Sequence, residues 1–203
     1  MAWWVVTGGI GSGKSTVTRL AAASGLPTLD ADRVGHDVLA GPARAAVAER
    51  WPSVIVDGYV DRKRLAGIVF TNRAELRALE AIVHPLIADE LRHRMASSSR
   101  GIVELSVPLP LAGDLPTVVV DVPEEVRRSR LLERGMSPEA VDARIASQPD
   151  RAGWLALATV VIDNSGPPER LHKAVFRWLT ASSSRDSGRE TPQAETVGDD
   201  RDR

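Results

Sequence analysis

Trp3-Trp4-Val5-Val6-Thr7 runs straight into Gly8-Gly9-Ile10-Gly11-Ser12-Gly13-Lys14-Ser15, and the second segment fits the pattern G-x-x-x-x-G-K-[ST]. The first five residues are apolar, β-prone and followed by glycine, so they predict a short buried strand. Behind the motif, residues 16–24 are rich in Ala and Leu, with Val17, Leu20 and Ala21 on one face, which predicts a helix. A strand, a glycine-rich turn and a helix N-terminus together build an anion site. Glycines let the backbone come close, and successive N–H groups converge on a phosphate at the positive end of the helix dipole. In such a loop Gly9, Gly11, Ser12, Gly13, Lys14, Ser15 and Thr16 surround the phosphates, Lys14 reaching the β- and γ-phosphates and the Ser15 hydroxyl binding Mg²⁺. The stretch implies a nucleoside triphosphate site.

On either side of the motif, apolar and helical patterns alternate. Residues 26–30 read as a second strand ending in Asp30-Ala31-Asp32. Residues 34–39 and 43–50 read as helices separated by Gly41-Pro42, and Asp57-Gly58 is a turn signal. Residues 62–70, 73–83 and 85–95 read as successive helices, so the region of about 41–98, with no clear strand, is expected to be a helical insert. Strands resume at 102–106 and 117–121 as continuous apolar runs, the signature of parallel strands covered on both faces. A helix is expected at 123–134, with Pro at its start and Glu124-Glu125 in its first turn. Another follows at 139–147, then a strand at 159–163 and a closing helix at 168–180. This order predicts an α/β fold of the P-loop NTPase kind: a doubly wound, mostly parallel five-stranded sheet with a helical insert. Residues 1–180 form one kinase-like domain in this reading. The tail, 181–203, is Ser-, Arg-, Asp-, Glu- and Gly-rich and is expected to be disordered.

Composition narrows the classes of function. With 203 residues and 43% hydrophobic content, the chain can bury a sizeable core. A net charge of −1 gives no global field toward nucleic acid or an anionic membrane. There is no cysteine, which removes disulfides, thiol catalysis and thiolate metal sites. No apolar run approaches the ~20 residues needed to span a bilayer, and the first strand begins at once, so a cytoplasmic, soluble protein without a membrane or nucleic-acid partner is expected. A monomer is favoured.

The acceptor chemistry must come from residues outside the loop. Asp32 follows the second strand, and in an open α/β sheet the ends of neighbouring strands face one crevice. A carboxylate there suits a general base on an attacking hydroxyl, but Asp30 and Asp32 both also suit a helix N-cap, and spacing leaves the two readings open. Arg127, Arg130 and Arg134 are spaced i, i+3, i+7 on one helix face, a stripe that phosphates would neutralise and that a solvated surface paired with Glu124, Glu133 or Asp121 would also explain. His84-Pro85 breaks a helical pattern, with His84 read as a substrate contact or a cap. Glu104 is a possible acidic Mg²⁺ helper, and Asn164 a lining residue of an adenine pocket or a turn former. His36, His93 and His172 lack partners at metal spacing. No Asn-Lys-x-Asp guanine-reading motif is present.

Taken together and in order, several segments resemble the dephospho-coenzyme A kinase family. They are residues 6–16 of the loop, Leu29-Asp30-Ala31-Asp32, Asp57-Gly58 with Asp61-Arg62, Ile68-Val69-Phe70, and Leu79-Glu80-Ala81-Ile82-Val83-His84-Pro85. Val107-Pro108-Leu109, Arg130-Leu131 with Arg134, Gln148, and Val161-Ile162-Asp163-Asn164 complete the series. The resemblance implies ATP-dependent phosphorylation of the 3′-hydroxyl of dephospho-coenzyme A, giving coenzyme A and ADP. It implies a substrate-binding role for the helical insert and a lid at about 134–158; Asp32 as the catalytic base and, with Arg62 and His84, part of the acceptor site; Lys14 and Arg134 on the phosphates; and ATP and Mg²⁺ as cofactors. The chain departs from the family pattern at 109–114, where a Glu is missing and the loop is short, at Trp154, where the family tends to have Arg, and at Thr159, where it has Asp. A P-loop kinase of another small hydroxyl acceptor, such as a nucleoside or sugar acid, and a non-catalytic ATP-binding homologue are the alternatives.

Overall fold

In the computed structural model, which describes residues 2–106, 115–184 and 195–197, the chain divides into two compact units: residues 30–97, and the remainder. The larger unit is built on a parallel sheet. Its central strand is β1 (Trp3–Thr7), flanked by β5 (Gly101–Glu104) and β6 (Thr117–Asp121). β2 (Thr28–Asp30) lies beyond β5, and β7 (Val160–Asp163) beyond β6. Val5 is in register with Val103 on one side and Thr117 on the other, and Val118 is in register with Val160. These are the five strands expected from the sequence. A sixth, β8 (Glu195–Val197), pairs with β7 in parallel, so part of the tail expected to be disordered joins the sheet edge instead.

Strand alternation sorts the side chains onto two faces. Trp4, Val6, Ile102, Val118, Val120, Val160 and Ile162 all enter one core cluster, together with Val17 and Ala21 of α1 (Lys14–Ala23) and Leu171, Ala174, Val175 and Trp178 of α9 (Pro168–Ser184). Trp4 and Trp178 meet edge to face with ring centroids 5.7 Å apart. Each fully buried Val, Ile or Leu contributes about 1.5–3 kcal/mol, so this layer fixes β1, and with it the loop that follows. Near β6 the second face is covered by α8 (Arg151–Leu155), whose Trp154 is buried. Before α8 come α6 (Glu124–Glu133) and α7 (Pro138–Ala146). α7 is capped by Ser137 and packs on α6, to which Asp142 is tied by Arg128.

The smaller unit is mostly helical: α2 (Ala31–Ala40), α3 (Arg44–Arg50), α4 (Arg62–Val69) and α5 (Arg73–Met95). It begins at Asp30, earlier than the 41 expected, because α2 packs along α5, with Gly35 close to Ile87. Two further differences from the sequence reading appear here. Residues 55–60 form a small hairpin, β3 (Ile55–Val56) and β4 (Tyr59–Val60), turned by Asp57 and Gly58 at φ of 50° and 80°. Strands of two residues carry too little pattern to be read. The helices expected at 73–83 and 85–95 are one continuous helix with Pro85 inside it. A proline there removes a backbone bond at a cost of ~3 kcal/mol. Burial of Val83, Ile87, Ala88 and Leu91 on one side of α5 offsets it.

Candidate active site

The phosphate loop leaves β1 at Thr7, whose hydroxyl donates to the Leu105 carbonyl at 2.9 Å and anchors the loop's first residue to the neighbouring strand end. It closes on Gly13, the residue before α1, at φ of 101°. No side chain caps that helix. Left-handed backbone there excludes a β-carbon on energetic grounds. Space excludes it too, because a methyl on Gly13 would fall on the Asn164 amide nitrogen. That nitrogen donates to the Ser12 carbonyl at 2.7 Å in a buried bond, tying the loop to the end of β7. Gly9 is tight for a related reason: a methyl there would come within 2.9 Å of the Arg127 guanidinium carbon.

Lys14, 9% exposed, lies back over the loop and donates from Nζ to the Gly8 carbonyl at 2.9 Å. Ser15 follows on the exposed side of the first turn of α1, and Thr16 is half-buried beside it. The Ser12 hydroxyl is buried without a hydrogen-bond partner among the described residues. A positive helix end with no side-chain cap, a lysine held at its mouth and an orphaned buried hydroxyl fit the phosphates of a nucleotide. Ser15 offers the hard oxygen donor that Mg²⁺ takes.

Next to the loop opens a cleft of about 460 Å³ lined by Gly11, Gly13, Thr16, Arg130, Glu133, Arg134, Asn164, Gly166, Pro168 and Leu171. Arg134 ends α6 and is exposed on this wall. Arg130 donates to the Asn164 carbonyl at 2.8 Å, which positions the cleft's far rim. Asn164 therefore lines the cleft, while its amide serves the loop. The turn after it is made by Asp163, whose carboxylate accepts from the Ser165 N–H at 2.8 Å.

Three further residues have contacts around the loop and its strand that the sequence does not show, Arg151 among them not singled out by sequence at all. Gln148 accepts from the Ile10 N–H at 2.7 Å, bringing the segment between α7 and α8 onto the loop. Arg151 binds the Asp121 carboxylate through two nitrogens, at 3.0 and 2.6 Å, which holds the Arg151 guanidinium protonated above its usual range. For Arg127 the sequence leaves two readings open, a stripe facing phosphates and a solvated surface paired with an acid such as Glu124. The pair exists at 3.6 Å, yet the Arg127 side chain is only 6% exposed. Contacts this remote in sequence carry no local signal.

In the smaller unit, the carboxylate that caps α2 is that of Asp30, accepting from the Asp32 and Arg33 N–H groups at 2.9 and 3.3 Å. Asp32 stands in the first turn of that helix, exposed. Arg62 opens α4 behind the cap Asp61 and is exposed. His84 lies in mid-α5, half-buried; the cap reading of His84 fails because the helix does not end there. Glu104 closes β5 in register with Val6. The family match at Val107-Pro108-Leu109 and the departure at 109–114 lie outside the described residues.

A family model described as dephospho-CoA kinase matches residues 3–169. A dephospho-CoA kinase of Thermobifida fusca is 39% identical over 181 residues, spanning 84% of this chain and 90% of that protein. The crystal structure of a Thermus thermophilus protein superimposes with a TM-score of 0.75 at 33% identity, covering 92% of this chain and 98% of the other. A dephospho-CoA kinase from Campylobacter jejuni shares the fold, with a TM-score of 0.69 at 24% identity over 91% of this chain and 98% of its own. With the phosphate loop, the sheet order and this match over most of its length, the chain belongs to the dephospho-CoA kinase family.

Proposed function

We propose that this protein transfers the γ-phosphoryl group of ATP to the 3′-hydroxyl of dephospho-coenzyme A, releasing ADP and coenzyme A, as the last step of coenzyme A biosynthesis. The observation that carries it is the uncapped, glycine-closed start of α1 beside a cleft bearing Arg130 and Arg134, in a chain of this family.

Each side chain has a task set by its chemistry. Lys14 sits at the loop mouth and places a positive charge on the β- and γ-phosphate oxygens. Arg134, exposed on the cleft wall, swings onto the transferring group and offsets its charge. Gly9, Gly11, Ser12, Gly13 and Thr16 shape the backbone cradle, and Asn164 keeps that cradle fixed through Ser12. Asp32, with its helix already capped by Asp30, takes the acceptor hydroxyl's proton as that oxygen attacks phosphorus and the bond to ADP's oxygen breaks. Arg62 and His84 belong to the acceptor side. Ser15 would hold Mg²⁺ through its hydroxyl, and the ion would supply positive charge against the phosphates. Little covalent help is needed; orientation and fixed charge supply most of the acceleration.

Steady-state assays with dephospho-coenzyme A, a nucleoside panel and sugar acids test this assignment. The expected result is a kcat/KM for dephospho-coenzyme A at least ~10³-fold above any other acceptor, as differential binding of a matched substrate provides. Preference for a nucleoside or sugar acid would overturn it.

A further inference from the structure

Behind the phosphate loop a buried cation lacks an adequate partner. Arg127 is 5% exposed, and its Nη1 has no hydrogen-bond partner among the described residues. It presses on Gly9. With Gly9, Asp121 and Arg151 it lines a pocket of about 10 Å³, the room of a single water. Trp154 lines the same pocket, is 3% exposed, and its indole Nε1 is also without a partner. Two buried donors thus line one pocket with no acceptor among the described residues. The carboxylates nearby do not balance the charge. Asp121 is engaged by Arg151 through two nitrogens, and Glu124 stands 3.6 Å from Arg127 with its side chain 62% exposed. A water satisfies hydrogen bonds but not charge, and a buried, poorly paired guanidinium is costly to the folded protein. Such a cost is tolerated where an anion arrives to offset it, and the anion site of this unit is the loop on which Arg127 rests.

We infer that Arg127 is a positioning residue of the phosphate loop, a fixed positive charge that braces Gly9 from behind and is neutralised by the nucleotide's polyphosphate. The inference rests on the ATP site assigned above and adds to it a residue acting through the loop. Charge of this kind favours ligands in proportion to their phosphates and is partly protected from salt by its burial. It also leaves the empty protein less stable than a neutral side chain of similar shape would.

The test compares Arg127→Gln and Arg127→Lys with the parent protein, using binding of ATP, ADP and adenosine by calorimetry, and thermal melting with and without ADP. Arg127→Gln is expected to weaken ATP and ADP on the order of ten-fold and adenosine less than about two-fold. Its unliganded Tm should be equal or higher, and its ADP-induced rise in Tm smaller. Arg127→Lys should restore most of the ATP affinity. Equal losses for adenosine and ATP would overturn the inference, as would an unliganded Tm that falls while the ADP-induced rise is intact. Should Arg127→Gln fail to fold, a lysine variant that folds yet binds ADP no better than adenosine overturns it too. Failure of the parent protein to phosphorylate dephospho-coenzyme A would sink the acceptor assignment while leaving the ADP result readable.

Discussion

Asp30 and Asp32 sit two residues apart; Asp30 caps α2 and Asp32 is the proposed base, and paired substitutions should pull those duties apart. Asp30 Oδ1 accepts from the N–H groups of Asp32 and Arg33 at the start of α2. Losing such a cap costs about 1 kcal/mol, within a range of ~0.5–2; in a chain of this size each kcal/mol moves Tm by about 2–4 °C. Asp30→Ala should therefore lower Tm by a few degrees, Asp30→Ser should restore it, and neither should cut kcat by more than about ten-fold. Asp32 is exposed and accepts none of the cap's bonds. Asp32→Asn gives up a favourable carboxylate near the helix start, about 0.3–1 kcal/mol. As a general base, however, it should cost kcat ~10²–10⁴-fold, or about 2.7–5.4 kcal/mol of barrier. The assay is coupled ADP release with dephospho-coenzyme A, normalised to folded protein from urea unfolding of the same samples. If Asp32→Asn unfolded as readily as Asp30→Ala while turnover per folded molecule stayed at the parent value, Asp32 would be structural and the base would lie elsewhere.

Lys14→Ala should lower kcat by about 10²–10³-fold, the worth of one donor to developing charge, and weaken ATP measurably by calorimetry; unchanged turnover would remove Lys14 from the phosphates. Gly13→Ala combines a β-carbon in left-handed backbone with displacement of the buried Asn164–Ser12 bond. The expected loss is about 2–5 kcal/mol in urea unfolding together with lost ATP binding, and a stable, ATP-binding variant would contradict it. Asp142 on α7 is held below its ordinary 3.8 by the hydrogen bond from Arg128. A carboxyl lowered on folding contributes in full above its unfolded value and is lost as pH falls through the lower folded one. Limited proteolysis of the 134–158 segment should thus accelerate only below about pH 4, and Asp142→Asn should flatten that dependence; cleavage that is pH-independent in the parent would count against the pairing.

What could be read from sequence divides by the range of the signal. The loop and the strand at 117–121 are legible because each is a local run: glycines at fixed offsets, or five consecutive residues covered on both faces. Pro85 misleads because proline reports a local cost, whereas the burial of Ile87 and Leu91 that offsets it is tertiary. Asp30 and Asp32 are indistinguishable in sequence, since capping depends on which carboxylate meets two N–H groups. Gln148 on Ile10 spans 138 positions and Asn164 on Ser12 spans 152, so neither contact has a neighbouring residue to announce it. Arg127 reads as one of three arginines on one face, open to phosphates or to solvent, because helix spacing shows which residues share a face, not which of them is buried. β8 is hidden for another reason: a polar tail lacks the apolar run that marks a strand.

Identification of the phosphorylated product tests the whole account at its centre. Purified protein incubated with ATP, Mg²⁺ and dephospho-coenzyme A should yield a species heavier by one phosphoryl group, with phosphorus NMR placing the new phosphate on the ribose 3′ oxygen and one ADP formed per product. ATP bound by the protein with dephospho-coenzyme A recovered unchanged, or a phosphate found on any other hydroxyl, would contradict it.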